Sequence, residues 1–433
     1  MWLIDSLYQK LEDCKFKIST DTRKIEIGSI FFALKGENFD ANQFAQKAIE
    51  NGSQWAVIDN ENYQNSKTIL VENVLETLQD LANFHRRKLK CKIIGIGGSN
   101  GKTTTKELMY SIISKQFETA CTKGNLNNHI GVPLTLLGIK HSTEYAIVEL
   151  GANKIGDIEE LCKIAEPDWG LITNIGKEHL EGFGSLEGVA KAESELYYFL
   201  LKNNGVAFVN SDDEWLSRMA SRLKNVITYS KNDNNADIFL SLINDFPQIE
   251  FEYQNFKIKS NLSGSYNFEN IMAAVAVAHI AGVTVENIKA GIECYVPQNK
   301  RSQTIVSGST YVFLDAYNAN PSSMEKALEN FSRVNYPQKI VILGDMFEMG
   351  DYATVEHENI YKLAKSFGFN KLLVAGEHFC NQAMIYGDVC YKSAEEINEV
   401  IKTMNLSNTA IFVKGSRGMA MEKSLEGIVD YNS

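Results

Sequence analysis

Short, nearly continuous apolar runs alternate along the chain with longer stretches whose apolar residues recur every three or four positions. Lys92-Ile93-Ile94-Gly95-Ile96, Tyr145-Ala146-Ile147-Val148, Gly170-Leu171-Ile172-Thr173 and Val206-Ala207-Phe208-Val209 read as buried strands separated by helical stretches, the rhythm of a mainly parallel sheet. Helical spacing over residues 103–113 follows the first of them directly. Upstream, residues 29–34 and 56–58 are strand candidates, and the spacing predicts a helix over Val74–Lys88 that ends in the basic run His85-Arg86-Arg87-Lys88.

Residues 226–259 read as antiparallel strands and 268–281 as an alanine-rich helix. Beyond Pro297 the alternation restarts, with strands expected at 311–314, 340–343, 372–375 and 411–413 and helices between them, a doubly wound pattern that no GxGxxG opens. Leu134, Leu136 and Leu137, and likewise Tyr197, Tyr198 and Phe199, have the spacing of core faces. The expected fold class is α/β with three domains: a smaller N-terminal α/β domain over 1–89, a central domain with a mainly parallel sheet over 90–298, and a C-terminal doubly wound domain over 299–433. A length of 433 residues agrees with that division at about 150 residues per domain.

Composition narrows the partners. A net charge of −11 supplies no general basic field for nucleic acid or a membrane surface, so neither is expected as a partner. The opening Met1-Trp2-Leu3-Ile4-Asp5 lacks the features of a secretory leader, and no segment supplies about 18 uninterrupted apolar residues, so a cytoplasmic protein is expected. Seven cysteines without ligand spacing read as reduced, mostly buried small hydrophobes.

The chemistry concentrates after the first parallel strand. There Gly98-Ser99-Asn100-Gly101-Lys102-Thr103-Thr104 places a glycine-rich turn between a strand and a helix, the arrangement in which backbone N–H groups and a helix N-terminus surround phosphate oxygens. Lys102 is suited to neutralising the outer phosphates and Thr103 to binding magnesium. The strict GxxxxGK[ST] pattern fails at Ile96, so the loop is a variant. A guanine-specific switch is disfavoured, because Asn153-Lys154-Ile155-Gly156 misses the aspartate of an Asn-Lys-x-Asp element. Glu149 follows an apolar strand, which puts its carboxylate at the carboxyl edge of the sheet, near that loop.

Several further segments resemble the Mur ligases, from about Ser19 to Glu422: Asp21-Thr22-Arg23, Gly124-Asn125-Leu126-Asn127-Asn128-His129-Ile130-Gly131-Val132-Pro133 and Asn174-Ile175-Gly176-Lys177-Glu178-His179-Leu180-Glu181. Asp315-Ala316-Tyr317-Asn318-Ala319-Asn320-Pro321, Leu343-Gly344-Asp345-Met346-Phe347-Glu348-Met349-Gly350 and Lys414-Gly415-Ser416-Arg417-Gly418-Met419 look like the member that joins D-alanyl-D-alanine to UDP-N-acetylmuramoyl-tripeptide, and no DNPR-like segment of its close relative is present. The resemblance implies an ATP- and magnesium-dependent amide ligase working through an acyl phosphate, with an N-terminal domain for the UDP-sugar, a central P-loop-type ATPase and a Rossmann-like C-terminal domain, and a monomer is expected. The alternatives are a folylpolyglutamate-type ligase of the same superfamily and a nucleotide-binding regulator without catalysis.

By the same resemblance the catalytic residues are Lys102, Glu149, His179 and Glu193, and the metal ligands Thr103, Glu149, His179 and Glu193. Gly98, Ser99, Asn100, Gly101, Lys102, Thr103, Thr104, Asn267, Asn270, Arg301 and Asp315 would hold ATP. For Asn267 a helix N-cap is an equally weighted and compatible role, and Tyr266 stands where the family usually has histidine. Thr22 and Arg23 are expected at the UDP-sugar site, with Asn125, Asn128, Asn318, Asn320, Lys414, Ser416 and Arg417 as further substrate contacts. The family's carbamoylated lysine falls on Glu193, and Lys191, about 200° away around the helix, points to nearly the opposite face. A glutamate there implies a carboxylate supplied without carbamoylation.

Overall fold

The computed structural model describes residues 2–36, 39–297 and 300–428. The expected boundary between 298 and 299 lies outside these residues. The architecture is α/β, as expected, around three principal sheets.

A small parallel sheet, in the order Ile18–Ser19, Ile30–Phe32, Trp55–Ile58, Thr68–Leu70, organises the N-terminal part. Val74–Lys88 is helical, as its spacing predicts, with Asn73 capping its N-terminus. This helix seals the N-terminal part to the next: Leu78, Leu81 and Ala82 share one apolar core with Val132, Leu136 and Leu161. Its basic end is neutralised locally. Arg86 donates to the carbonyls of Ala165 and Glu166 and pairs with Asp168, and Arg87 pairs with Glu166. His85 bonds Tyr8 and the Ile139 carbonyl, and burial lowers its pKa, so it packs as a neutral ring.

The middle sheet has seven parallel strands in the order Ile238–Phe239, Val226–Ser230, Val206–Asn210, Trp169–Ile172, Lys92–Gly97, Tyr145–Glu149, Thr119–Cys121. From Lys92–Gly97 the chain steps one way across the sheet and then returns past it, so the loop leaving that strand lies where the winding reverses, the usual position of a ligand crevice. Val226–Ser230 and Ile238–Phe239 belong to this parallel sheet, which corrects the antiparallel reading of residues 226–259; within that segment the antiparallel sheet is made by Ser241–Asn244, Glu250–Tyr253 and Phe256–Lys259.

The third sheet runs Gln303–Ser307, Thr310–Asp315, Thr409–Lys414, Gln338–Gly344, Lys371–Ala375, parallel except for its first strand. That edge strand has no counterpart among the expected elements. Leu136, Leu137 and Tyr197 are core residues as expected, but Tyr198 is 53% exposed, because three consecutive helical residues fan over about 200° and cannot all face inward. Cys14, Cys91 and Cys162 are buried, whereas Cys294 is exposed.

Candidate active site

The turn after Lys92–Gly97 is held from behind by the strand beside it. Asn174 accepts from the amide of Ser99 through its carbonyl and from that of Asn100 through its side chain, and the Thr173 hydroxyl donates to the Asn100 carbonyl at 2.7 Å. The Gly98 amide donates to Glu193 at 2.5 Å. Three amides of the loop are therefore committed to the protein. The first intrahelical bond of the following helix, Lys102–Ile113, runs from Thr105 to the Gly101 carbonyl, so the donors left for phosphate oxygens are those of residues 101–104. This narrows the expected cradle: Gly98 shapes the loop but does not line the cleft, which begins at Ser99.

Lys102 curls back onto the Gly98 carbonyl and lies 3.7 Å from Glu178. Burial disfavours its charge, yet Glu178, Glu193 and Glu149 outweigh burial and hold its pKa above the ordinary lysine value. Burial, only partly offset by Lys102, raises the Glu178 carboxyl, and Glu193 is pushed up to about 7. Glu193 faces inward and Lys191 is exposed, the opposite-face geometry the sequence implies. The Oε1 atom of Glu193 is buried without a hydrogen-bond partner.

Glu149 ends its strand at the cleft wall, where the Thr103 hydroxyl (3.1 Å), the Asn127 amide (2.9 Å) and the Lys106 ammonium (3.5 Å) converge on its carboxylate. Asn127, Lys106 and Glu178 were not singled out from sequence. Asn127 stood beside two asparagines that were, and nothing local distinguishes the three.

His179 begins a short helix in a left-handed conformation, φ +42°, a strained state typical of positions held for function. Its Nδ1 pairs with Glu348 from the third sheet's side of the cleft. Burial opposes the imidazolium, but Glu348 and Glu178 raise its pKa, while the Glu348 carboxyl, bonded to His179, is held low. Further links close the same face: Lys177 to Glu356 at 2.6 Å and Asn320 to Asn100 at 2.9 Å. Arg301 stacks on the Tyr317 ring at 3.6 Å, and Arg417 donates to the Tyr317 hydroxyl. Asp315 pairs with Lys414.

One cleft of about 340 Å³ gathers most of the expected residues: Ser99 to Thr104, Asn125, Asn128, Glu149, His179, Asn267, Asn270, Arg301, Asp315, Asn318, Asn320 and Lys414 all line it. The remainder are elsewhere. Ser416 is buried, accepting from the Phe347 amide, and Arg417 stands outside the lining. Thr22 and Arg23 do not line the cleft, and the Arg23 guanidinium forks onto its own neighbour Asp21 at an exposed site. Asn320 caps the helix Pro321–Ser332. Asn267 is not a cap, since Gly264 holds that place and Asn267 bonds instead to the Ser263 carbonyl and Asn270.

For magnesium, the Thr103 hydroxyl and Glu149 carboxylate are hard oxygen donors side by side at the wall, and they fit an ion that takes one or two protein ligands and completes its shell with phosphate and water. The expected four-ligand set is not a single cluster. Among the described residues no group of three or more His, Cys, Asp or Glu is arranged to hold a metal. Glu193 lies behind the loop rather than in the lining.

The profile of the Mur ligase middle domain matches residues 96–278, and that of the Mur ligase glutamate ligase domain matches residues 300–417. The chain is 33% identical to the UDP-N-acetylmuramoyl-tripeptide--D-alanyl-D-alanine ligase of Bacillus subtilis, over 95% of this chain and 93% of that one. The structure superposes on MurF from Acinetobacter baumannii with a TM-score of 0.85 at 29% identity, covering 96% of each chain. On MurF from Thermotoga maritima in complex with ADP the TM-score is 0.83 at 26% identity, covering 95% of this chain and 96% of that one. Among the described residues no helix is long and apolar enough to cross a membrane.

Proposed function

The chain belongs to the Mur ligase family, and from that premise we propose that it joins D-alanyl-D-alanine to UDP-N-acetylmuramoyl-tripeptide, converting ATP to ADP and phosphate in the synthesis of the peptidoglycan precursor. One observation carries the reading: the loop lysine and threonine, the strand-end Glu149, Asp315 and Lys414 from the third sheet, and Arg301 just ahead of that sheet all open onto a single cleft.

Amide formation from a carboxylate in water is uphill, and the free acid lacks a leaving group. Transfer of the γ-phosphoryl group to the tripeptide's terminal carboxylate supplies one, and the amine of D-alanyl-D-alanine then displaces phosphate from the acyl carbon. Such transfers depend on positioning and on neutralising crowded oxygens. The amides of residues 101–104 orient the phosphates, and Lys102 leaves the Gly98 carbonyl to take the outer oxygens. Thr103 and Glu149 are assigned to magnesium, which supplies further charge neutralisation when bound. Arg301, flattened on Tyr317, presents its guanidinium to the nucleotide side. Asn125, Asn128 and Asn318 are assigned to the acid and dipeptide. The domain limits follow as 1–89, 90–298 and 299–433, the first for the UDP-sugar, with the protein working as a cytoplasmic monomer. A folylpolyglutamate-type reading draws no support from the dipeptide-ligase relatives.

Purified protein should release phosphate from ATP only when both UDP-N-acetylmuramoyl-tripeptide and D-alanyl-D-alanine are present, with the pentapeptide product seen by mass spectrometry. Release with a folate and glutamate instead would refute this substrate assignment. Because Glu193 occupies the inward position and Lys191 faces solvent, the same assay in bicarbonate-depleted buffer should keep its rate. A rate lost on depletion and restored by bicarbonate would show that a carbamoylated group is needed after all.

A further inference from the structure

Lys106 is one helical turn beyond Lys102 yet does different work. It is 2% exposed, as is Glu149, and it stands behind the cleft wall rather than in it. Its ammonium bridges the Gly124 carbonyl at 3.3 Å and Glu149 Oε2 at 3.5 Å. It thereby ties the helix to the end of the neighbouring strand and to the loop that carries Asn125, Asn127 and Asn128 into the cleft. Desolvating two full charges is a poor source of stability, since an apolar pair of similar volume usually serves as well. A buried lysine at this place therefore calls for a reason other than packing.

The reason lies in what Glu149 does unaided. A carboxylate at a cleft wall, already flanked by a hydroxyl and an amide, attracts divalent cations whether or not nucleotide is bound. We propose that Lys106 is a positioning residue that fixes Glu149 and cancels its charge, so that a divalent ion is held there only when the phosphates of the nucleotide bring their own negative charge. This rests on the ATP-ligase reading above. It assigns to Lys106 a control over the order of binding: nucleotide and metal together, not metal first. Of the three groups that converge on the Glu149 carboxylate, the Thr103 hydroxyl and the Asn127 amide are neutral, so the Lys106 ammonium is the balancing charge among them. Lys102, whose charge Glu149 also feels, is itself engaged with Glu178.

Calorimetric titration of the full chain with Mn²⁺ tests this, alone and with ADP present. Wild-type protein should take up the metal at this site only with ADP. Lys106→Met should bind Mn²⁺ alone at least about tenfold more tightly than wild type, the effect of removing a unit charge this close to the site, and adding Glu149→Gln should erase the gain. Lys106→Gln, which keeps a donor for the Gly124 carbonyl without the charge, should show the same gain and serves if the methionine variant folds poorly. Lys106→Arg should behave as wild type. A folded, uncharged variant that binds Mn²⁺ alone no better than wild type overturns the proposal, as does wild-type protein that binds it equally well with and without ADP. The comparison made with Mn²⁺ alone involves no nucleotide, so its outcome is separable from any failure of the ATP reading.

Discussion

Lys102→Met should lower kcat by about a thousandfold, the scale on which a preorganised charge at a developing oxyanion acts in a water-excluded site. The substitution conserves most of the volume and removes only the ammonium. Lys102 sits between the loop carbonyls and Glu178, so the phosphates lose their nearest cation. At the same time Glu178 and Glu193, both buried, lose the positive charge that holds their carboxyls down against desolvation. The variant should therefore also bind anionic nucleotide more weakly, and steady-state kinetics would register a fall in kcat together with a rise in KM for ATP. Turnover near the wild-type level would remove Lys102 from the mechanism.

The second large effect is expected at Gly98. Its φ is +110°, and a Cβ built there lies 2.2 Å from the Thr173 hydroxyl oxygen and 2.6 Å from the Thr173 amide nitrogen. The hydroxyl is itself bonded to the Asn100 carbonyl, and the amide to that of Gly97. Neither can withdraw without releasing the loop from the strand that shapes it. Gly98→Ala should thus destabilise the protein by about 3 kcal/mol or more, combining a forbidden backbone state with overlap against backbone. Nucleotide binding should be lost with it. Gly28→Ala is the matched control, because Gly28 has φ +80° but nothing within 4 Å of its Cβ position; its cost should stay near 1–2 kcal/mol, the approximate price of the left-handed conformation alone. Thermal unfolding of the two variants, with ADP titrations, separates strain from collision. Equal losses in both would mean that the contact with Thr173 carries no weight.

What could be read from the sequence was local. The helix Val74–Lys88 and the passage from Lys92–Gly97 through the loop into Lys102–Ile113 announce themselves by period, cap and glycine placement, and each signal lies within a few residues of the feature it specifies. Strand direction has no such signal. Val226–Ser230 alternates in the same way whichever way its partner runs, and only its pairing with Val206–Asn210 decides the matter. The closure of the cleft was equally invisible. Asn100 and Asn320 are 220 residues apart, and Lys177 and Glu356 are 179 apart; neither member of a pair carries a mark of the other. Glu348 carries no local signal of a role, and its contact with His179 depends on how the third sheet meets the middle one. Lys106 was hidden for a different reason. A lysine in mid-helix normally reaches solvent, and only the third dimension shows that the Gly124 loop closes over this one.

The acyl phosphate is the point on which the account turns, and isotope transfer tests it most directly. UDP-N-acetylmuramoyl-tripeptide labelled with ¹⁸O in its terminal carboxylate should pass one labelled oxygen to each inorganic phosphate released, because the bridging oxygen leaves with phosphorus when the amine attacks. Amide formed while the phosphate stays unlabelled, or label recovered in AMP, would contradict the transfer of the γ-phosphoryl group to the acid.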